Sequence, residues 1–218
     1  YKPQLLLGVV VLWVLDLRNS WRSLGGMAVG SALLASLCAW LLPEASRSYV
    51  HMALHVLPGL PSWQEFPIWH LHTVRGFWWL LLPERPRLAD VLTGVMAIWG
   101  IVAFGRFRKR YLEDRALLGA GATCLTLWLT PHAMIYDWAL LLVPAVVLWQ
   151  RLPDLHEGWR IMFAAIWLAT LVSGPLTLLQ LRFLPCALQV SVPVLLVVLL
   201  TAYGHLVDSD VLGDAEAA

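Results

Sequence analysis

The sequence predicts an all-α fold, a polytopic bundle of transmembrane helices with about seven membrane segments and one interfacial aromatic loop. Two observations carry this reading. Hydrophobic residues fill 60% of the 218 positions and charged residues only 13%, with a mean hydropathy of +0.72. A soluble domain carries about a quarter charged residues, so water is not the solvent for most of this chain. The apolar residues also fall in runs long enough for spans, separated by short polar turns. We read 1–206 as one transmembrane domain and 207–218 as a short acidic tail. A formal net charge of +1, with no dominating basic stripe, excludes a nucleic-acid partner. Cys38, Cys124 and Cys186 sit inside apolar segments at no metal-like spacing, which makes them small hydrophobes.

The elements follow in order. Tyr1-Lys2-Pro3-Gln4 runs straight into an apolar stretch, Pro3–Leu17, with neither an initiating Met nor a signal-peptide n-region. The expectation is that the chain is the C-terminal part of something longer. Pro3 sits in a first turn, where its missing N–H is not needed. Asp16, Arg18 and Arg22 predict a polar turn, and Leu24–Leu42 a span whose Gly26-Met-Ala-Val-Gly30 spacing lets another helix pack closely. Residues 43–88 mix Glu44, Arg47, Glu65, Arg75, Glu84, Arg85 and Arg87 with aromatic residues and with His51, His55, His70 and His72. Val50–Leu57 and Trp69–Leu82 read as short helices in an outer segment lying along the membrane interface, where Trp and Tyr are favoured. Ala89–Gly105 spans, followed by the basic run Arg106, Arg108, Lys109, Arg110 and Arg115.

Residues 116–149 form the centre of the reading. Ala116–Leu129 and Trp138–Trp149 are uncharged, and between them lies TPHAMIYD, Thr130–Asp137. One continuous helix over both runs would be about 50 Å long, against a hydrocarbon core of about 30 Å. Pro131 cannot continue a helix interior, so the stretch reads as a hairpin turning at TPHAMIYD. Beyond it, Arg151–Arg160 is a polar loop. Trp159–Leu179 spans with a kink at Gly174-Pro175, Arg182 marks a turn, and Leu184–Leu206 spans back.

Taking the loops alternately, Arg18, Arg22, Arg106, Arg108, Lys109, Arg110, Arg115, Arg151 and Arg160 share one side, and the other short loops carry only Lys2 and Arg182. The positive-inside rule puts the first set in the cytoplasm. Lys2, the aromatic segment and TPHAMIYD then face outward. Ionisable groups at the mouth of an apolar groove mark a functional site, and a cation with an imidazole suits the phosphate of a lipid carrier. Each residue also has a plainer reading. Lys2 can snorkel at a helix end, His132 can be an interfacial histidine, and Asp137 can cap the helix that follows. His51 and His55 share a helical face, a zinc-like spacing, yet no HExxH motif or carboxylate pair completes a site, so no metal is expected.

Two stretches resemble a known family. The opening KPQLLLGVVVLWVLDLRNSWR, with KPQ before an apolar helix and a basic turn after it, is similar to the central motif of the bacterial polyprenyl-phosphate-dependent membrane glycosyltransferases of family 87, which have the GT-C fold. TPHAMIYDWALLLVPAVVLW resembles that family's later pattern of Ser/Thr-Pro-His, then Tyr-Asp, then an aliphatic helix with a proline. Their order and separation agree as well. The resemblance implies an inverting transfer of a hexose or pentose, commonly mannose or arabinofuranose, from a polyprenyl-phosphate donor to a lipid or glycan acceptor outside a bacterial plasma membrane. It implies that Lys2 and His132 meet the donor phosphate, and that Gln4, Tyr136 and Asp137 shape the sugar or acceptor pocket. The acidic base that takes the acceptor proton is expected upstream of Tyr1, so the fragment alone should be inactive. No cofactor is expected, because fixed cations can stabilise a lipid monophosphate as it leaves. The rival readings are a transporter or flippase for a lipid-linked sugar, for which an internal repeat is the missing sign, and a non-catalytic assembly subunit.

Overall fold

A computed structural model describes residues 2–57, 67–110, 112–151 and 157–196. The described chain is all-helical, with a single isolated antiparallel bridge between Leu71 and Met134. A 3-10 turn over Pro3–Leu6 leads into α1 (Leu7–Leu15), followed by α2 (Leu17–Leu41), α3 (Pro43–His51), a π-helical turn over Met52–Val56, and α4 (Val74–Leu81). Then come α5 (Pro86–Arg110), α6 (Arg115–Leu129), a 3-10 segment Ile135–Leu141, α7 (Leu142–Arg151) and α8 (Glu157–Phe183). Two helices, Leu17–Leu41 and Pro86–Lys109, are long and apolar enough to cross a membrane. Of the expected elements, residues 58–66 of the aromatic segment, 152–156 of the loop before α8, the end of the last span and the acidic tail lie outside the described residues.

The described residues form two compact units, one of Val10–Ile68 and one of the stretch up to Val9 together with that from Trp69 onward. In the first unit α2 buries none of its residues, and its Leu33, Leu34, Leu37 and Trp40 are all exposed. A methyl group added to Gly26 or Gly30 would meet open space, with no neighbouring atom within 4 Å. The close helix contact expected at this spacing is therefore not made among the described residues. The polar turn expected after α1 is only one residue long. Asp16 interrupts the helix, its carbonyl accepting from the Asn19 and Ser20 N–H groups and its carboxylate from Asn19 Nδ2 at 3.0 Å. Arg18 and Arg22 then ride on the first turns of α2, which starts at Leu17 without a side-chain cap from Asp16.

The second unit holds the core, in which Val74, Leu127, Trp128, Trp138, Val192 and Leu195 pack together. Here a glycine does what Gly26 and Gly30 do not. A methyl group on Gly8 would collide with the Ala122 carbonyl oxygen, and the Gly8 N–H donates to Thr126 Oγ1 at 2.9 Å. The entry to α1 is pressed against α6 with only backbone between them. The hairpin forms as expected, α6 packing on α7, but its second arm starts as 3-10 helix and becomes α-helix only at Leu142. Helix α8 continues through Pro175 to Phe183. The expected span from Leu184 differs. Residues 184–190 are not helical, and a short helix occupies 191–196. Pro185 withholds a helical donor, and the Gln180 amide takes over the local pairing. Its Oε1 accepts from the Leu188 N–H at 2.8 Å and its Nε2 donates to the Leu188 carbonyl at 3.1 Å.

Candidate functional site

The tip of the hairpin is built from α6 outward. Thr126 and Thr130, four apart, share one face of its C-terminal turn. Thr130 Oγ1 donates to the Thr126 carbonyl at 2.6 Å and also lies 3.3 Å from the Gln4 carbonyl. Pro131 then ends the helix. After the turn, the Asp137 carboxylate reaches back, Oδ2 accepting from the Met134 N–H at 2.8 Å, while the Asp137 N–H donates to the Met134 carbonyl at 2.9 Å. Asp137 therefore does not cap a helix starting at Trp138, the role its position predicts; it is the third residue of the 3-10 segment Ile135–Leu141, and its carboxylate closes the turn by reaching back to the Met134 N–H.

The same oxygen has a second partner. Lys2 Nζ lies 2.6 Å from Asp137 Oδ2, an ion pair between a lysine side chain 30% exposed and a carboxylate only 5% exposed. The ammonium also donates to the Tyr136 hydroxyl at 3.0 Å and stands 4.3 Å from the centre of that ring. Burial works to lower the Lys2 pKa. The hydrogen bonds to Asp137 and Tyr136, with the charge of Asp137, outweigh it and raise the pKa above 10.5. Residues more than 130 positions apart in sequence therefore meet, Lys2 with Tyr136 and Asp137.

The other two candidates take different places. Gln4 does not join the Lys2 contact; its backbone carbonyl meets Thr130 Oγ1 at the end of α6. His132 stands half-buried in the turn itself, between Pro131 and Ala133. Two of the three ammonium N–H bonds of Lys2 are committed, leaving one for an anion. Asp137 Oδ2 is bound to two donors, which suits it to holding the lysine and the turn in place rather than to taking a proton.

A second layer behind the tip has no motif to announce it in the sequence. His72, expected at the membrane interface, is 2% exposed. Its N–H donates to the Ala133 carbonyl at 2.9 Å, and its own carbonyl accepts from Trp138 Nε1 at 3.0 Å. Its ring shares a 2.9 Å hydrogen bond, through Nδ1, with Ser191 Oγ, and the Ser191 N–H donates to Ser173 Oγ at 3.0 Å. Burial, with a smaller push from His70, lowers the His72 pKa to about 4, so the ring is neutral at pH 7. Gln189, fully buried nearby in sequence, donates to the Trp69 carbonyl at 3.3 Å. Hydroxyl residues four apart in apolar runs, Thr126 with Thr130 and Ser173 with Thr177, are the one sign of this layer that the sequence carries. His51 and His55 lie with ring centres 5.0 Å apart on the first unit. Among the described residues no three His, Cys, Asp or Glu side chains form a group able to hold a metal.

No protein-family model, curated protein or solved structure matches the chain.

Proposed function

We propose that the protein is a membrane glycosyltransferase of the polyprenyl-phosphate-dependent kind, resembling family 87. It would transfer a hexose or pentose, mannose foremost, to a lipid or glycan acceptor at the outer face of a seven-span, GT-C-like bundle in a bacterial plasma membrane. The observation that carries the proposal is the meeting of the two motif stretches, KPQ and PHAMIYD, through the Lys2–Tyr136 and Lys2–Asp137 contacts.

The chemistry follows from that contact. Without donor, Asp137 and the face of Tyr136 hold the ammonium of Lys2 at the tip of the hairpin. A donor phosphate brings a second anion to the same cation, and the remaining N–H of Lys2 binds one of its oxygens. Negative charge on the phosphate grows as the glycosidic bond breaks, so a cation fixed beside it stabilises the transition state more than the ground state. His132, in the same turn, is the second donor to that phosphate. Tyr136 and Asp137 shape the sugar side, and Gln4 helps through its carbonyl-anchored backbone. The general base is assigned, as the resemblance implies, to sequence upstream of Tyr1.

The test is transfer from polyprenyl-phosphate mannose by membranes containing the full-length gene product. Lys2→Met is expected to lower kcat/KM about a hundredfold and His132→Ala at least about tenfold. Donor binding without transfer by the unaltered protein would move the reading to a transporter or assembly subunit. Transfer untouched by both substitutions would remove these residues from the site.

A further inference from the structure

The segment 71–73 is fastened on two sides. Toward the hairpin tip, the His72 N–H holds the Ala133 carbonyl, Leu71 bridges Met134, Thr73 Oγ1 donates to the Pro131 carbonyl at 3.4 Å, and Trp138 Nε1 holds the His72 carbonyl. Toward α8, the His72 ring hydrogen-bonds across to Ser191, which Ser173 on α8 holds in turn. The ring also packs edge-on against Trp138, with centroids 5.8 Å apart, and lies next to Gly174 of α8. Thr73 is already engaged in capping α4, accepting from the Gly76 N–H at 2.9 Å. Among the described residues, the hydrogen-bonded path from the tip of the hairpin to α8 that runs through 71–73 therefore passes through one imidazole.

We propose that His72 is a positioning residue for the candidate site, tying the Pro131–Asp137 turn to α8 through its hydrogen bond with Ser191 and so fixing where His132, Tyr136 and Asp137 stand. The proposal rests on the functional reading only for what the turn does, not for the tie itself. The physical case is that the bond is fully buried. Inside a protein a lost buried bond is not replaced by water, so the partner left behind is destabilised and the segment it held is released. The Thr73 hydroxyl and the His72 backbone groups cannot supply the missing link, because they already serve the turn or α4.

The experiment is amide hydrogen exchange on the full-length protein in lipid nanodiscs, followed by mass spectrometry of peptides covering 131–138, with α5 as an internal reference. Ser191→Ala removes the bond with little change of volume, and His72→Leu removes it from the other side. Each is expected to speed exchange in 131–138 about tenfold while leaving α5 unchanged, and the double variant to add little to either alone. His72→Asn places an amide nitrogen near the position of Nδ1 and should restore slow exchange, an outcome that loss of packing alone would not give. If His72→Leu fails to fold, Ser191→Ala and His72→Asn still decide the matter. Unchanged exchange in Ser191→Ala, or a rise of equal size in α5, would overturn the proposal. In the transfer assay the same variants should lower kcat more than they alter donor KM. An unaltered protein that shows no transfer, but whose turn is released in Ser191→Ala, would sink the functional reading and leave the tie standing.

Discussion

At the scale of single residues, the tip of the hairpin holds two titratable groups with opposite needs. Lys2 is kept charged by Asp137 and Tyr136, while His72 is kept neutral by burial. The consequences for stability have opposite signs in pH. The folded pKa of Lys2 is raised, so its contribution is complete below about pH 10.5 and fades as pH climbs through the folded value. That of His72 is lowered from 6.5 to about 4, so the native state binds fewer protons than the unfolded chain between those values. Stability is then full above about pH 6.5 and falls as the solution is acidified toward pH 4, by about 3 kcal/mol in total. Denaturation midpoints measured from pH 7 to 4 check this, and His72→Asn should flatten the slope. For the ion pair, a double-mutant cycle with Lys2→Met and Asp137→Asn should return a coupling of about 1 kcal/mol, since one partner is almost fully buried and the other partly screened by solvent.

At the scale of elements, close helix packing depends on which glycine faces a neighbour, and the spacing motif alone does not reveal it. Gly26 and Gly30 carry the recognisable motif and meet no neighbour among the described residues, whereas Gly8, one glycine in a valine-rich stretch, admits the Ala122 carbonyl and bonds Thr126. Gly8→Ala should therefore cost about 3 kcal/mol, or prevent folding, while Gly30→Ala leaves the melting temperature within error. Thermal melts of the two variants in one detergent make the comparison. The hairpin was legible for a physical reason: Pro131 forbids a helix that the apolar runs would otherwise continue. The non-helical stretch 184–190 at the start of the expected last span was not, because the side chain that pairs with it, Gln180, belongs to the preceding helix. His72 escaped notice for a similar reason. A histidine among tryptophans looks interfacial until Ser191, more than a hundred residues away, supplies its partner.

At the scale of the whole molecule, composition points to the membrane as solvent, and among the described residues α2 and α5 are long and apolar enough to cross it. The finer expectation of seven spans with the site outward predicts a definite labelling pattern. Ser48 on α3 and Glu113 between α5 and α6 are both exposed. With Cys38, the one fully exposed cysteine, replaced by serine, a cysteine at Ser48 should react with an impermeant maleimide on intact cells. One at Glu113 should react only after the membrane is opened. The reverse pattern would turn the candidate site toward the cytoplasm.

On the proposed function, Lys2, held by Tyr136 and Asp137, receives the phosphate of a lipid-linked sugar. Equilibrium binding of polyprenyl-phosphate mannose and of the matching phosphate-free polyprenol, measured on the full-length protein and on Lys2→Met, tests it most directly. The account predicts that the unaltered protein prefers the phosphorylated lipid by about a hundredfold and that Lys2→Met loses most of that preference. Equal affinity for the two lipids, or a preference that survives the loss of the lysine, would contradict it.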